Sequence, residues 1–443
     1  MTAPPPPGET GLPLIGETLP FIKNMFGFMA ERFDKHGSVF KSHILGNPTV
    51  FIRGKELTDV WLDDTCIQRE GSFPKNIQAL FGGQSLPLLD GKAHKTRKRL
   101  VLSAFVRDAF ATYLPKLETA IEDSFTRVAT GQEVKWLDEM KRLAVDGILR
   151  TIFGMGPGPE MDAMLEDYAA VTRGFTGLPI NLPGTDFRSG LNARDRIFER
   201  IRASIDGHAA KPADDGLSRL LAAEIDGVKI AKEELVLELH HVMIAGLIIF
   251  AEFACTVTAL TEHPDIRKKL EAEVKAVVGQ DHLTMEKLDA MPYLEQMMLE
   301  TKRACANVPI SFGKAKKDFE IGGYGVKGGT FVFMSVHGNN VDATTFAEPS
   351  KFDPDRFDAA RAEHKKHPHA YQPQGAGVDT GHRCAGVDFS SIFMKAFTAL
   401  LVRDLTWTLP EQALDLRWDI VPPEPRDGLR AVIDRKNGKG GAS

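Results

Sequence analysis

Residues 371–386 read YQPQGAGVDTGHRCAG, and the rest of the chain is most simply organised around them. Cys384 is preceded by Gly375, Gly377 and Gly381 and followed by Gly386. A thiolate that ligates a metal needs backbone able to approach closely, and glycine permits this because it has no Cβ. His382 and Arg383 precede the cysteine directly, and cations there favour thiolate over thiol. Downstream, Phe389, Ile392, Phe393, Phe397, Leu400 and Leu401 recur at helical spacing. The cysteine therefore sits at a loop-to-helix junction, where a helix N-terminus also favours negative sulfur.

Two other features stand at long range. Glu300 and Arg303, in MPYLEQMMLETKRACANVP, are spaced i, i+3 on a helical pattern and so share a face. Arg356 lies in FDPDRF, between Phe352 and Phe357. Each is commonplace alone; Glu-x-x-Arg, then an arginine-aromatic segment, then a glycine-rich cysteine loop feeding a helix is a specific order. That ordered set resembles the cytochrome P450 family of haem-thiolate oxygenases, and the resemblance extends over nearly the whole chain. It implies haem b held by Cys384, a mainly α fold with small β-sheets, and a long central helix over the haem. It also implies that Glu300, Arg303 and Arg356 brace the cysteine loop as structural support. Residues 1–443 are expected to form one domain, with a proline-rich segment at 1–20 and the cysteine loop at 371–386.

Composition agrees with a globular enzyme: 443 residues, 43% hydrophobic and 26% charged. A net charge of −5 and a pI near 6.3 argue against nucleic-acid binding. The four cysteines, Cys66, Cys255, Cys305 and Cys384, are far apart and lack metal-finger spacing, which suits a reducing compartment. The start, MTAPPPPGETGLP, has no charged-then-apolar signal pattern, and the apolar run 242–250 is short for a bilayer. The expectation is a soluble, cytoplasmic protein without a membrane anchor.

In chain order, the pattern predicts a helix over 21–36 stopped at Gly37, a hairpin turning at 46–48, and a further helix over 55–63. After Asp90-Gly91 comes a basic helical cluster: His94, Lys95, Arg97, Lys98 and Arg99. Charged donors suit carboxylates, so His94 and Arg97, with Lys98, are candidates to reach haem propionates, and the resemblance supports His94 and one basic residue near 97–98; the outward cations suit an acidic electron-transfer partner. Helical spacing dominates 104–153 and 161–202, broken at 154–159 and at LPINLPG, 178–184. In the resembled fold this third roofs the substrate pocket, with Phe175, Leu178 and Ile180 as candidate lining residues.

Residues 232–263 read as one helix stopped by Pro264. Ala245-Gly246 matches the small pair that, in the family, opens room above the iron. Where dioxygen-using members carry an acid and a threonine, this chain has Leu247, Ile248, Ile249 and Phe250. Ala245, Gly246, Ile248 and Ile249 are thus the expected distal-pocket residues, and they cannot hold a proton-relaying water chain. His241 and Glu252, on one i, i+4 stripe with Ala245 and Ile248, are candidate proton donors.

The cysteine loop has six residues between Gly377 and Cys384 where three are typical. With KKDF at 316–319 and HGNNVD at 337–342, it is similar to the fatty-acid peroxygenase branch. Those enzymes place an arginine and a proline on the long helix; no arginine occurs between Leu235 and Thr261 here. Many relatives hold a propionate with an arginine near Gly313-Lys314, where Lys314 offers a point charge instead of a fork.

The expected activity is that of a monooxygenase oxidising a hydrophobic small molecule, with electrons from a separate ferredoxin and reductase. The alternatives are a hydrogen-peroxide-driven peroxygenase and, from another class, a haem-based sensor or carrier.

Overall fold

The computed structural model describes residues 3–436 except 178, 306 and 419. It divides into two compact units. The first comprises residues 1–98, 306–384 and 418–423; the second comprises 99–305, 385–417 and 424–443.

The first unit is built on a five-stranded sheet. Strands Val39–Ile44 and Asn47–Ile52 form an antiparallel hairpin, and Phe331–Ser335 adds in parallel to the second of them. Ile310–Ala315 and Ile67–Gln68 complete the sheet antiparallel. The hairpin turns at Leu45-Gly46, slightly earlier than predicted, because Ile44 pairs with Asn47. Side-chain alternation splits the strands between two cores. Phe40, Phe51 and Phe333 pack with Phe21, Phe28 and Phe33 on one face. Val50, Ile52, Val332 and Met334 pack with Trp61 and Ile67 on the other. The predicted helix over 21–36 is two helices, Thr18–Lys23 and Met25–His36. The break is Asn24, whose side chain accepts from the Gly27 N–H and starts the second helix as an N-cap. Position 313 admits no side chain: a Cβ there would lie 2.7 Å from the Trp61 ring. The Lys314 ammonium lies 5.5 Å from the Phe331 ring centroid.

The second unit is helical, with a three-stranded sheet ordered Glu133–Lys135, Arg430–Arg435, Leu405–Thr408. The first of these strands lies where helical spacing was expected throughout 104–153. Helices Arg107–Val128 and Trp136–Ile152 pack beside Val387–Asp404, whose Phe393 and Phe397 meet Phe253 at ring centroid distances of 5.1 and 4.3 Å. The loop between helices Pro159–Thr176 and Asp186–Ala210 exposes Ile180, while Phe175 is half-buried; Leu178 lies outside the described residues.

The expected single helix over 232–263 is corrected by the structure. It consists of Lys232–Leu247 and Phe250–Glu262. Between them the hydrogen bonds shorten to i→i+3: Ile249 N–H to Gly246 C=O, Ala251 to Ile248 and Glu252 to Ile249. This tighter winding, at two consecutive β-branched residues, is a 3₁₀-like turn. The segment Lys232–Glu262 is long enough to cross a membrane, and its most apolar stretch, with a mean hydropathy of 2.1, is apolar enough; 56% of that stretch is buried inside the protein, as in a core helix.

Candidate haem-thiolate site

The cysteine loop belongs to the first unit, and its stem is pinned by a buried polar network. Gln372, 3% exposed, donates its backbone N–H to Asn340 Oδ1 and its side-chain amide to Thr58 Oγ1 (3.0 Å) and the His369 carbonyl (2.6 Å). Asn339 Oδ1 accepts the Gly54 N–H at 2.6 Å. Sequence reasoning missed these residues as functional. Asn339 and Asn340 lie within HGNNVD, and two adjacent asparagines after an apolar strand were the available signal.

Further along, Gly375 and Gly377 adopt φ of 85° and 91°, conformations that L side chains rarely take. Gly381 and Gly386 have no such φ, so two of the four glycines are conformationally required. The loop closes when the Cys384 N–H donates to the Gln374 carbonyl at 3.0 Å. Of the four cysteines Cys384 alone is exposed.

The basic cluster falls on helix Gly91–Leu102. His94 is buried and stacks on His382, ring centroids 4.1 Å apart. Burial, with Lys98 adding to it, pushes His94 down to about 4. Burial and the nearby Arg69 guanidinium push His382 down to about 2. Both rings are therefore neutral at pH 7 in the protein framework. This corrects two sequence expectations. His382 is not a cation beside the thiol, and His94 offers a neutral N–H instead of a charged one; burial overrides the attraction of Asp64 and Asp90, which lie 3.7 Å from His382 Nε2. The cation adjoining Cys384 is Arg383, paired with Asp379 at 3.0 Å. Lys98 directs its ammonium to the Arg383 carbonyl, so one of its hydrogen bonds goes to the cysteine loop. Arg97 is 9% exposed on the same helix.

Arg356, fully buried, is the hub of a second network in this unit. It donates to Glu363 Oε2 and the Ala347 carbonyl, both at 2.8 Å, and to the Lys351 carbonyl at 2.9 Å. Arg361 bridges Glu363 and Asp353, at 2.7 and 2.6 Å. Burial raises the Glu363 and Asp353 carboxyls, but their arginine partners outweigh it and hold both below the usual range. A depressed folded-state pKa contributes stability above the unfolded value, about 4.3 for glutamate, and loses it as pH falls through the folded value. The melting temperature is accordingly expected to fall below about pH 4, with a shallower acid limb in Glu363→Gln. An unchanged limb in that variant would remove Glu363 from the account.

In the second unit, the Arg303 guanidinium donates to Glu300 at 2.6 and 2.8 Å, with both side chains buried. Lys302, one residue away, ties the start of helix Val387–Asp404 through Ser390 and Ser391 at 2.7 and 3.0 Å. Ala245 is exposed and Gly246 and Ile248 are half-buried, whereas Ile249 is 5% exposed. Ile249 sits within the 3₁₀-like turn. A Cβ on Gly246 would lie 2.3 Å from Ile148 Cδ1, so a larger residue there would need the Ile148 side chain to move. The same turn breaks the i, i+4 stripe from His241 to Glu252. His241 Nδ1 lies 3.3 Å from Glu238 Oε2, and Glu252 is buried in the first turn of the second helix.

A family model described as cytochrome P450 matches residues 6–419. The chain is 29% identical to putative cytochrome P450 120 of Synechocystis sp., over 97% of both chains. It is 28% identical to abscisic acid 8'-hydroxylase 2 of Arabidopsis thaliana, over 95% of this chain and 85% of that one. The solved structure of retinoic acid-bound cyanobacterial CYP120A1 matches with a TM-score of 0.90 at 27% identity, covering 98% of this chain and 100% of that one. Ligand-free OleT matches with a TM-score of 0.83 at 23% identity, covering 98% and 100%, a likeness of fold.

The residues present fit haem b. A thiol left exposed at the end of an ordered loop suits an axial ligand, and a buried imidazole and a guanidinium on one helix suit propionates. With its family model spanning 6–419 and its ordered cysteine, Glu-x-x-Arg and arginine-aromatic elements, this chain belongs to the cytochrome P450 family, oxidoreductases that bind haem b through a cysteine thiolate.

Proposed function

We propose that the chain is an electron-fed monooxygenase that hydroxylates a hydrophobic isoprenoid carboxylic acid. The observation that carries this is the apolar, arginine-free helix pair Lys232–Leu247 and Phe250–Glu262. It offers no guanidinium to hold a carboxylate above the haem for peroxide chemistry. The substrate class is drawn from the relatives: CYP120A1 is described with retinoic acid bound, and another relative is an abscisic acid hydroxylase. Haem b, when bound, supplies the oxidation chemistry, and the thiolate pushes electron density toward O–O cleavage.

In this reading Cys384 supplies the thiolate, and His94 and Arg97 hold propionates. Lys98 braces the loop through the Arg383 carbonyl, and His382 orders His94 by stacking. Glu300, Arg303 and Arg356 act as structural support. Ala245, Gly246 and Ile248 present apolar surface to the substrate and exclude water. Leu247, Ile248, Ile249 and Phe250 hold no proton, and because the turn separates His241 from Glu252, one of the two and not a relay through both delivers it. Ferredoxin and a reductase supply electrons, and the protein works in the cytoplasm as one haem-binding domain.

A second reading, the peroxygenase, is favoured by the six residues between Gly377 and Cys384. Retinoic acid, abscisic acid and myristate, each titrated into the ferric protein, separate the substrate classes. A high-spin shift with the isoprenoid acids is expected. A shift with myristate and neither isoprenoid would overturn the proposed substrate class.

A further inference from the structure

The first unit contains a cleft of about 300 Å³, within the size range of small-molecule sites, that the cysteine loop does not line. Its wall is Phe26, Met29, Phe33, Val341 and Trp418, with Arg53 at one side. Phe26 holds the aromatic geometry, edge-on to Trp418 at 4.6 Å and to His337 at 5.4 Å. No aspartate or glutamate lines the cleft, and Arg53 is the one arginine or lysine that does.

Arg53 is held in place but its donors are unspent. Its backbone N–H donates to the Ser38 carbonyl at 2.9 Å, and its guanidinium carbon sits 4.8 Å from the Phe33 ring centroid. Its side chain makes no hydrogen bond among the described residues. Its one ion pair there is with Asp34, at 3.8 Å, and Asp34 is 79% exposed. Such a pair contributes little and exchanges readily. An arginine side chain that is 31% exposed, stacked on one ring of an aromatic wall, presents a planar fork to whatever fills the cleft.

From this geometry we infer a second ligand site: the cleft binds a small amphipathic carboxylate, its tail on the Phe26, Met29, Phe33 and Trp418 wall and its head on Arg53. A carboxylate matches the guanidinium fork with two parallel hydrogen bonds, and an uncharged head does not. Asn24 and Ser335 stay engaged with backbone N–H groups at the cleft's edge and the His337 ring packs against Phe26, so Arg53 is the one arginine or lysine placed to read an anion.

The test uses the haem-loaded full-length protein with decanoate as probe. Calorimetry reads total binding, and the Soret band reads binding next to the haem. A decanoate event that is silent in the Soret band is expected, weakened about ten- to a hundredfold in Arg53→Met. It is also expected to be lost in Ala30→Trp, which fills the cleft from an exposed helix position and leaves Arg53 in place. Decanol should bind this site much more weakly, and Soret-linked binding should be the same in both variants. Calorimetric binding that tracks the Soret change throughout, a silent event that survives Arg53→Met or Ala30→Trp, or decanol binding equal to decanoate, would each overturn the inference.

Discussion

Cys384→Ala is expected to yield a folded chain without haem-thiolate spectroscopy and without turnover. The loop's backbone order does not depend on the sulfur. Gly375 and Gly377 set the turn, the Cys384 N–H closes onto the Gln374 carbonyl, and Gln372 anchors the stem in its asparagine network. Removing one exposed thiol therefore costs the fold little, while removing the axial ligand costs all thiolate-dependent chemistry. The check is the ferrous–carbon monoxide spectrum together with far-UV circular dichroism. Loss of the thiolate signature with retained helicity is expected. A retained thiolate signature would move the ligand to another cysteine.

Arg356→Ala is the second large effect, and it acts on the fold. The guanidinium is fully buried and satisfies Glu363 and the Ala347 and Lys351 carbonyls together. Truncation leaves these acceptors buried, and Glu363 keeps only Arg361 and the Ala347 N–H. Breaking a buried pair in this way costs about 3–5 kcal/mol. That is a large fraction of a typical folding free energy, so poor haem retention and a much lower melting temperature are expected. Arg356→Lys recovers little, because an ammonium cannot reach several fixed acceptors at once as the fork does. Melting temperatures of the haem-loaded proteins within a degree or two of each other would show that the hub is dispensable.

The sequence made the cysteine loop, the Glu300–Arg303 pair and the arginine-aromatic segment legible, because each is a local pattern with a chemical reason. Three things were not legible. The break at Ile248-Ile249 comes from hydrogen bonds that shorten within an otherwise helical apolar pattern, so periodicity extends straight through it. The neutrality of His94 and His382 follows from burial beside Arg69 and Lys98, which residue type alone does not reveal. The partner of Arg356, Glu363, lies seven residues on, at the start of the short 3₁₀ turn Glu363–Lys365, which leaves no periodic signal in the sequence. Asn339, Asn340 and Gln372 were visible as letters, but their role depends on being buried together far from one another in sequence.

Product formation from retinoic acid, run in parallel with NADPH plus a surrogate ferredoxin and reductase, and with hydrogen peroxide alone, tests the account most directly. Hydroxylated product in the electron-fed reaction, with little from peroxide, is the predicted result. Turnover by peroxide alone, at rates the electron-fed reaction does not reach, would contradict it and make the long cysteine loop the mark of a peroxygenase.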